Sequence, residues 1–170
     1  TRISAVQASD VEEEFGNKVK YVLDGGKCSI GIESTIIDLV GKPKILRLGG
    51  LDPSKIEKVL GLKINSNINP KIKTAPGQSR LHYSPGIPLK MNAVKPKYEE
   101  AFILIKKRKT KLKNYFYISK ENDLNQAAKN LYTCLRKIKK KGYKSIAVEK
   151  IPNRGLGKTI NDRLNRASKF

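Results

Sequence analysis

From residue 62 to residue 89 the chain has no strong hydrophobic period; Asn, Lys, Pro and Gly fill it instead. So long a stretch does not suit a loop inside one compact domain. The chain is therefore expected to divide into two patterned blocks, 1–61 and 93–170, joined by a linker over 62–92. A length of 170 residues accommodates two small domains as readily as one ordinary one.

The first block reads as short α/β elements. Residues 4–15 have a helical spacing, with Ser4 as a candidate N-cap, Val11 and Phe15 on one face, and Gly16 as the stop. "KYVLDGG" reads as a short strand ending in glycines. "SIGIESTIIDLV", 29–40, reads as a strand broken by the polar trio Glu33-Ser34-Thr35, and "PKILRLGG", 43–50, as a third. In "LDPSKIEKVLG", 51–61, Asp52 caps, Pro53 opens the helix and Gly61 closes it.

The second block alternates strand and helix. "AFILI" (101–105), "NYFYIS" (114–119) and "SIAVEKI" (145–151) are strand patterns. Residues 122–142 are the strongest helix, with Leu124, Ala128, Leu131, Leu135 and Ile138 recurring at three and four, and 159–168 is a last helix. This order predicts a small α/β domain.

Composition adds two constraints. The net charge is +21, with 14 basic and 9 acidic residues over 1–90 and 22 basic and 6 acidic over 91–170. That asymmetry makes RNA a candidate partner for the second block, against the alternative that a lysine-rich composition is only compositional bias. Two distant cysteines, Cys28 and Cys134, predict reduced thiols in a cytoplasmic setting and no metal site. No apolar run reaches the roughly 18 residues of a membrane span, and the first residues lack the apolar core of a signal peptide.

"PNRGLGKT", 152–159, ends like a phosphate-binding loop. The glycine such a loop needs six residues before its lysine is here Pro152, which has no N–H to offer, so the stretch reads as a glycine turn feeding the last helix.

Three positions carry candidate chemistry. Hydroxyls at a polar break in an apolar strand, Ser34 and Thr35, can hydrogen-bond an amino-acid substrate, or can simply be solvated. Arg47, just before Gly49-Gly50, can reach a phosphate with paired donors, or can pair with a nearby carboxylate. "APGQSRLHYSPGIPL", 75–89, groups Arg80, the single histidine His82, and Tyr83 among breakers, as a draping segment would.

Taken in order, "LDGG" with "GIESTIIDL", "ILRLGG", "APGQSRLHYSPGIPL" and "GLGKTINDRLNRAS" resemble the C-terminal portion of the two-domain threonylcarbamoyl-AMP synthase family. The resemblance implies an α/β fold: an incomplete YrdC-like α/β domain over 1–61, a linker or lid over 62–92, and a small Rossmann-like α/β domain over 93–170. It implies a nucleotidyltransferase that makes threonylcarbamoyl-AMP and pyrophosphate from L-threonine, bicarbonate and ATP, with magnesium accompanying ATP and no tightly bound cofactor, for transfer-RNA modification. It implies L-threonine contacts at Ser34 and Thr35, and ATP contacts at Ser4, Arg47, Arg80, His82 and Tyr83. Glu149, Arg154, Asn161, Asp162 and Arg163 match the family's C-terminal signature and read as mainly structural. The family's Lys-x-Arg and Ser-x-Asn motifs are not in this sequence, so a missing N-terminal half, or a chain that complements it, is an expected partner. A non-catalytic basic RNA-binding module is the alternative.

Overall fold

A computed structural model describes residues 2–66 and 73–169. The part of the linker expectation that covers 67–72 lies outside the described residues. Two small sheets carry the fold. In the first, β1 (Ile36–Asp38) runs antiparallel to β2 (Lys44–Arg47), and β2 runs parallel to β3 (Asn65–Ser66). In the second, β4 (Leu89–Lys90), β7 (Ile146–Val148), β5 (Ala101–Leu104) and β6 (Tyr115–Tyr117) lie side by side in that order, all parallel. Both ends of the unpatterned stretch thus supply a strand. Two residues on a sheet edge are too few to leave an alternation in the sequence.

Four α-helices complete the described chain: α1 (Ala8–Phe15), α2 (Pro53–Leu60), α3 (Leu124–Lys140) and α4 (Leu156–Ala167). The capping chemistry of α2 and α3 is as the sequence suggests. Asp52 accepts from the Ser54 N–H at 3.0 Å and Asp123 accepts from the Asn125 N–H at 2.8 Å. Helix α4 starts three residues before the expected 159, because Gly155 turns the chain and Gly157 presses on the Pro152 carbonyl. The "GLGKT" run is thus the opening turn of a helix.

Helices α3 and α4 cover one face of the parallel sheet. Leu131, Leu135 and Ile138 of α3 and Ile160 and Leu164 of α4 bury against Ile103, Ile146 and Val148. On the opposite face Phe102, Leu104 and Ala147 are buried with Tyr115 and Tyr117 beside them, while Phe116 points to the helical face. Strand β5 is therefore buried on both sides, which is why its sequence is apolar without alternation. The larger core also takes in Ile3 and Val6 from the start of the chain and Tyr83 from the breaker-rich segment. A smaller core of Ile45, Leu48 and Ile64, with Ile56 packed on it, sits beneath α2.

Three expectations for the first block fail. "KYVLDGG" is not a strand: Tyr21 is 77% and Leu23 95% exposed, and no described strand pairs with this stretch. A β-pattern without a neighbour cannot satisfy its backbone. The strand expected over 29–40 is only Ile36–Asp38, since Glu33, Ser34 and Thr35 make side-chain contacts before it. Ser4 does not cap a helix either. Helix α1 begins at Ala8, and Asp10 accepts from the Val6 N–H at 2.9 Å.

The packing predicts unequal costs for two aliphatic truncations. Leu131→Ala, in the centre of the larger core, should cost roughly 2–5 kcal/mol. Val59→Ala, on the outer face of α2, should stay within about 0.5 kcal/mol. Denaturant midpoints at constant slope check both.

Candidate functional site

The ends of β1 and β2 meet where Gly49 follows β2. A Cβ at Gly49 would lie 2.1 Å from the Ser34 carbonyl carbon and the Thr35 nitrogen, so only glycine lets these backbones approach. The Gly50 N–H donates to the Glu33 carbonyl at 2.8 Å. This contact fixes Glu33, Ser34 and Thr35 opposite Arg47 and Leu48.

Each member of the polar trio then has its own partner. Thr35 Oγ1 donates to the Leu51 carbonyl at 2.7 Å, which commits that hydroxyl to the backbone. Ser34 is exposed, and its Oγ accepts from Arg47 Nη2 at 3.0 Å while Arg47 Nε donates to the Ser34 carbonyl at 3.1 Å. The serine keeps its own O–H for an incoming acceptor. Arg47 Nη1 donates to the Pro76 carbonyl at 3.4 Å, joining the breaker-rich segment to the pair.

Glu33 turns inward. Its carboxylate accepts from Ser4 Oγ, from the Tyr132 hydroxyl at 3.0 Å on both oxygens, and from Arg163 Nε at 2.8 Å. Arg163, on the buried face of α4 and 1% exposed, also donates to the Leu48 carbonyl at 2.6 Å and to Asp162 at 2.6 Å. Its guanidinium lies 4.5 Å from the Tyr83 ring centre. Burial works to raise the Glu33 pKa, but the Arg163 charge and the hydrogen bonds from Ser4 and Arg163 outweigh it, and the carboxyl sits below its ordinary value.

The sequence candidates separate as follows. Ser34 and Arg47 come together. Ser4 reaches the site only through Glu33. Tyr83 is 1% exposed, stacks at 6.0 Å on Tyr132, and carries a buried hydroxyl with no hydrogen-bond partner among the described residues. That oxygen would be 2.2 Å from a Cβ on Gly77, and Arg47 Cδ 3.1 Å from it, so Tyr83 lies directly under the Pro76-Gly77 turn beside Arg47. His82 Nδ1 accepts the Tyr83 N–H at 3.0 Å, supporting the left-handed backbone of Tyr83 (φ 59°). Burial pushes the imidazole pKa down, which favours the neutral ring this bond requires. Arg80 does not join this group; its side chain lines a cavity near α2 and α4. Sequence reading missed Glu33 and Tyr132. An arginine at 163, in helical register with inward-facing Ile160 and Ala167, was the available signal of a buried ionic partner.

Both depressed pKa values make acid destabilising, in successive windows. Neutral His82 contributes stability above its unfolded value near 6.5, and ionised Glu33 above its unfolded value near 4.5. Each contribution is lost as pH falls through the lower folded value. Melting temperature measured across pH should therefore decline below 6.5 and again below 4.5. His82→Ala should remove the first decline, and Glu33→Gln the second. Arg163→Met, which leaves a carboxylate buried without its cation, should cost roughly 3–5 kcal/mol at pH 7.

Two family models match the chain. One, described as the threonylcarbamoyl-AMP synthase C-terminal domain, covers residues 51–169, and one described as telomere recombination covers 1–49. A threonylcarbamoyl-AMP synthase of Pyrococcus abyssi is 32% identical over 98% of this chain and 54% of its own length. That of Bacillus subtilis is 26% identical over 97% of this chain and 53% of its own. Among solved structures, P. abyssi Sua5 complexed with L-threonine superposes with a TM-score of 0.84 at 28% identity, covering 99% of this chain and 55% of that one. A P. abyssi Sua5 variant with an adjacent histidine and tyrosine both replaced by alanine gives 0.82 at 27% identity, over 99% and 54%. This chain thus spans about half the length of the relatives it matches. Its mixed α/β fold with a parallel sheet is that of the Sua5 structures. With one model alone spanning well over half of its residues, the chain belongs to the threonylcarbamoyl-AMP synthase family.

Proposed function

We propose that this chain supplies the Ser34–Arg47 side of an active site that makes threonylcarbamoyl-AMP. The observation that carries the reading is the pairing of an exposed serine with an arginine at 3.0 Å, held by a glycine contact and roofed by the Pro76 carbonyl. In the reaction, the amine of L-threonine takes up bicarbonate and loses water to give a carbamate. The carbamate oxygen then attacks the α-phosphorus of ATP, and pyrophosphate leaves. This step needs positioning and charge neutralisation more than a proton-transfer group. Ser34 offers a hydroxyl to threonine and Arg47 a guanidinium to the phosphates. Ser4, Thr35, His82 and Tyr83 act by holding that pair and its roof. Arg80 would reach the nucleotide only after the 75–89 segment moves. Magnesium would arrive with the triphosphate.

We read residues 1–61 as the tail of a YrdC-like domain, 62–92 as a lid and 93–170 as a small Rossmann-like domain, acting in the cytoplasm. Supporting the tail of one domain followed by a second are the separate matches to 1–49 and 51–169. So are the exposed apolar side chains Tyr21, Leu23, Leu39 and Val40, which an N-terminal half or a complementing chain would cover. Mixing this chain with a separately produced N-terminal half of a relative should give pyrophosphate release that requires both threonine and bicarbonate. Arg47→Ala should lower it roughly 10²-fold. No release from the mixture, with both pieces folded, would contradict the reading.

RNA binding is a second reading, favoured by one groove. Lys113, Lys120, Lys137 and Lys141 line it with Tyr115 and Tyr117, and none of these lysines makes an ion pair among the described residues. Binding of a single-stranded RNA should weaken steeply between about 50 and 200 mM salt, and Lys137→Glu with Lys141→Glu should flatten that dependence.

A further inference from the structure

A cavity of about 820 Å³ opens between α2, β3 and α4. The segment 73–80 separates it from the Ser34–Arg47 pair. Its Pro76 carbonyl and Gly77 face Arg47, whereas the side chains of Gln78 and Arg80 face the cavity. Gln78 is locked there, donating to the Leu46 carbonyl at 3.0 Å and accepting from the Thr74 and Ala75 N–H groups. Neither Ser34 nor Arg47 lines the cavity.

The lining combines three kinds of surface. The floor is apolar: Ile45, Leu48 and Ile64. One wall is a single face of α4, where Lys158, Asn161 and Asn165 recur at three and four, continued by Lys169 in the turn after the helix. Asn161 gives its N–H to the Ile151 carbonyl, leaving its amide oxygen for a ligand, and Asn165 uses neither end of its amide in a side-chain bond among the described residues. The rim carries Lys73 and Arg80.

The charges do not cancel. Asp162 faces the cavity but is taken by Arg163 and Arg166. Glu57 accepts from the Ile64 N–H at 2.9 Å and pairs with Lys63. Lys73, Arg80 and Lys169 make no salt bridge among the described residues, and Lys158 acts on Glu57 without a direct salt bridge. The space lies within the roughly 300–1,000 Å³ of small-molecule sites.

An apolar floor, free amide edges and a cationic mouth fit a planar base joined to phosphate. We propose that this cavity is a second ligand site, for a nucleoside phosphate, independent of the Ser34–Arg47 pair.

The test is calorimetric titration with AMP in the Arg47→Ala background, so that nucleotide held by the first site does not contribute. AMP should bind, and adding Lys158→Glu with Lys169→Glu should weaken it at least about tenfold. Reversing Lys109 and Lys111, which lie outside the cavity, imposes the same change in net charge and should leave affinity within about twofold. Adenosine and pyrophosphate, titrated separately, should each bind more weakly than AMP. The proposal is overturned by no AMP binding in the Arg47→Ala protein, by equal losses from the two charge reversals, or by adenosine or pyrophosphate binding as tightly as AMP. All four positions are exposed, and melting curves verify that each variant folds.

Discussion

The buried pair of Glu33 and Arg163 is the contact on which the arrangement rests. Two charges out of water are costly unless the remaining donors and lone pairs are satisfied. Here they are: Ser4 and Tyr132 complete the carboxylate, and Asp162, the Leu48 carbonyl and the Tyr83 ring complete the guanidinium. The groups come from six places in the chain. The pair therefore cannot form until the start of the chain, both strand ends, the breaker-rich segment, α3 and α4 are all in place.

That convergence links packing to the candidate site. Glu33 is the residue before Ser34, and Leu48 the residue after Arg47. Arg163 holds one by its side chain and the other by its carbonyl, so a helix more than a hundred residues away sets the spacing of the exposed Ser34–Arg47 pair. Thr159, one turn earlier on α4, adds a bond from its hydroxyl to the Gly49 carbonyl at 3.0 Å. Tyr83, beneath the guanidinium, ties the Pro76-Gly77 roof to the same point. The C-terminal helices are thus part of the frame of the site, not an appended domain that merely follows it.

How much of this the sequence discloses depends on the range of the interaction. Helices α2 and α3 are legible because their caps and apolar spacing are local: Asp52 and Asp123 do what their positions imply. The parallel sheet is legible in outline, since β5, β6 and β7 are apolar runs between turns. The stretch 19–35 misleads, because alternation at Tyr21 and Leu23 describes a surface that no described strand covers. The motif residues Ser34 and Arg47 were visible as chemistry, but their pairing is a tertiary fact. Tyr83 was visible as an aromatic contact and lies instead in the core. The cluster joins Glu33 to Tyr132 and Arg163, 99 and 130 positions away, and no spacing rule reaches that far.

The frame can be tested by amide hydrogen exchange on the intact chain and on Arg163→Met under native conditions. Loss of protection is expected together in three segments, 33–50, 76–84 and 156–167, while 101–104 and the centre of α3 retain theirs. If only 156–167 exchanges faster, with 33–50 and 76–84 as protected as before, Arg163 is an ordinary helix residue and the strand ends hold their positions without it.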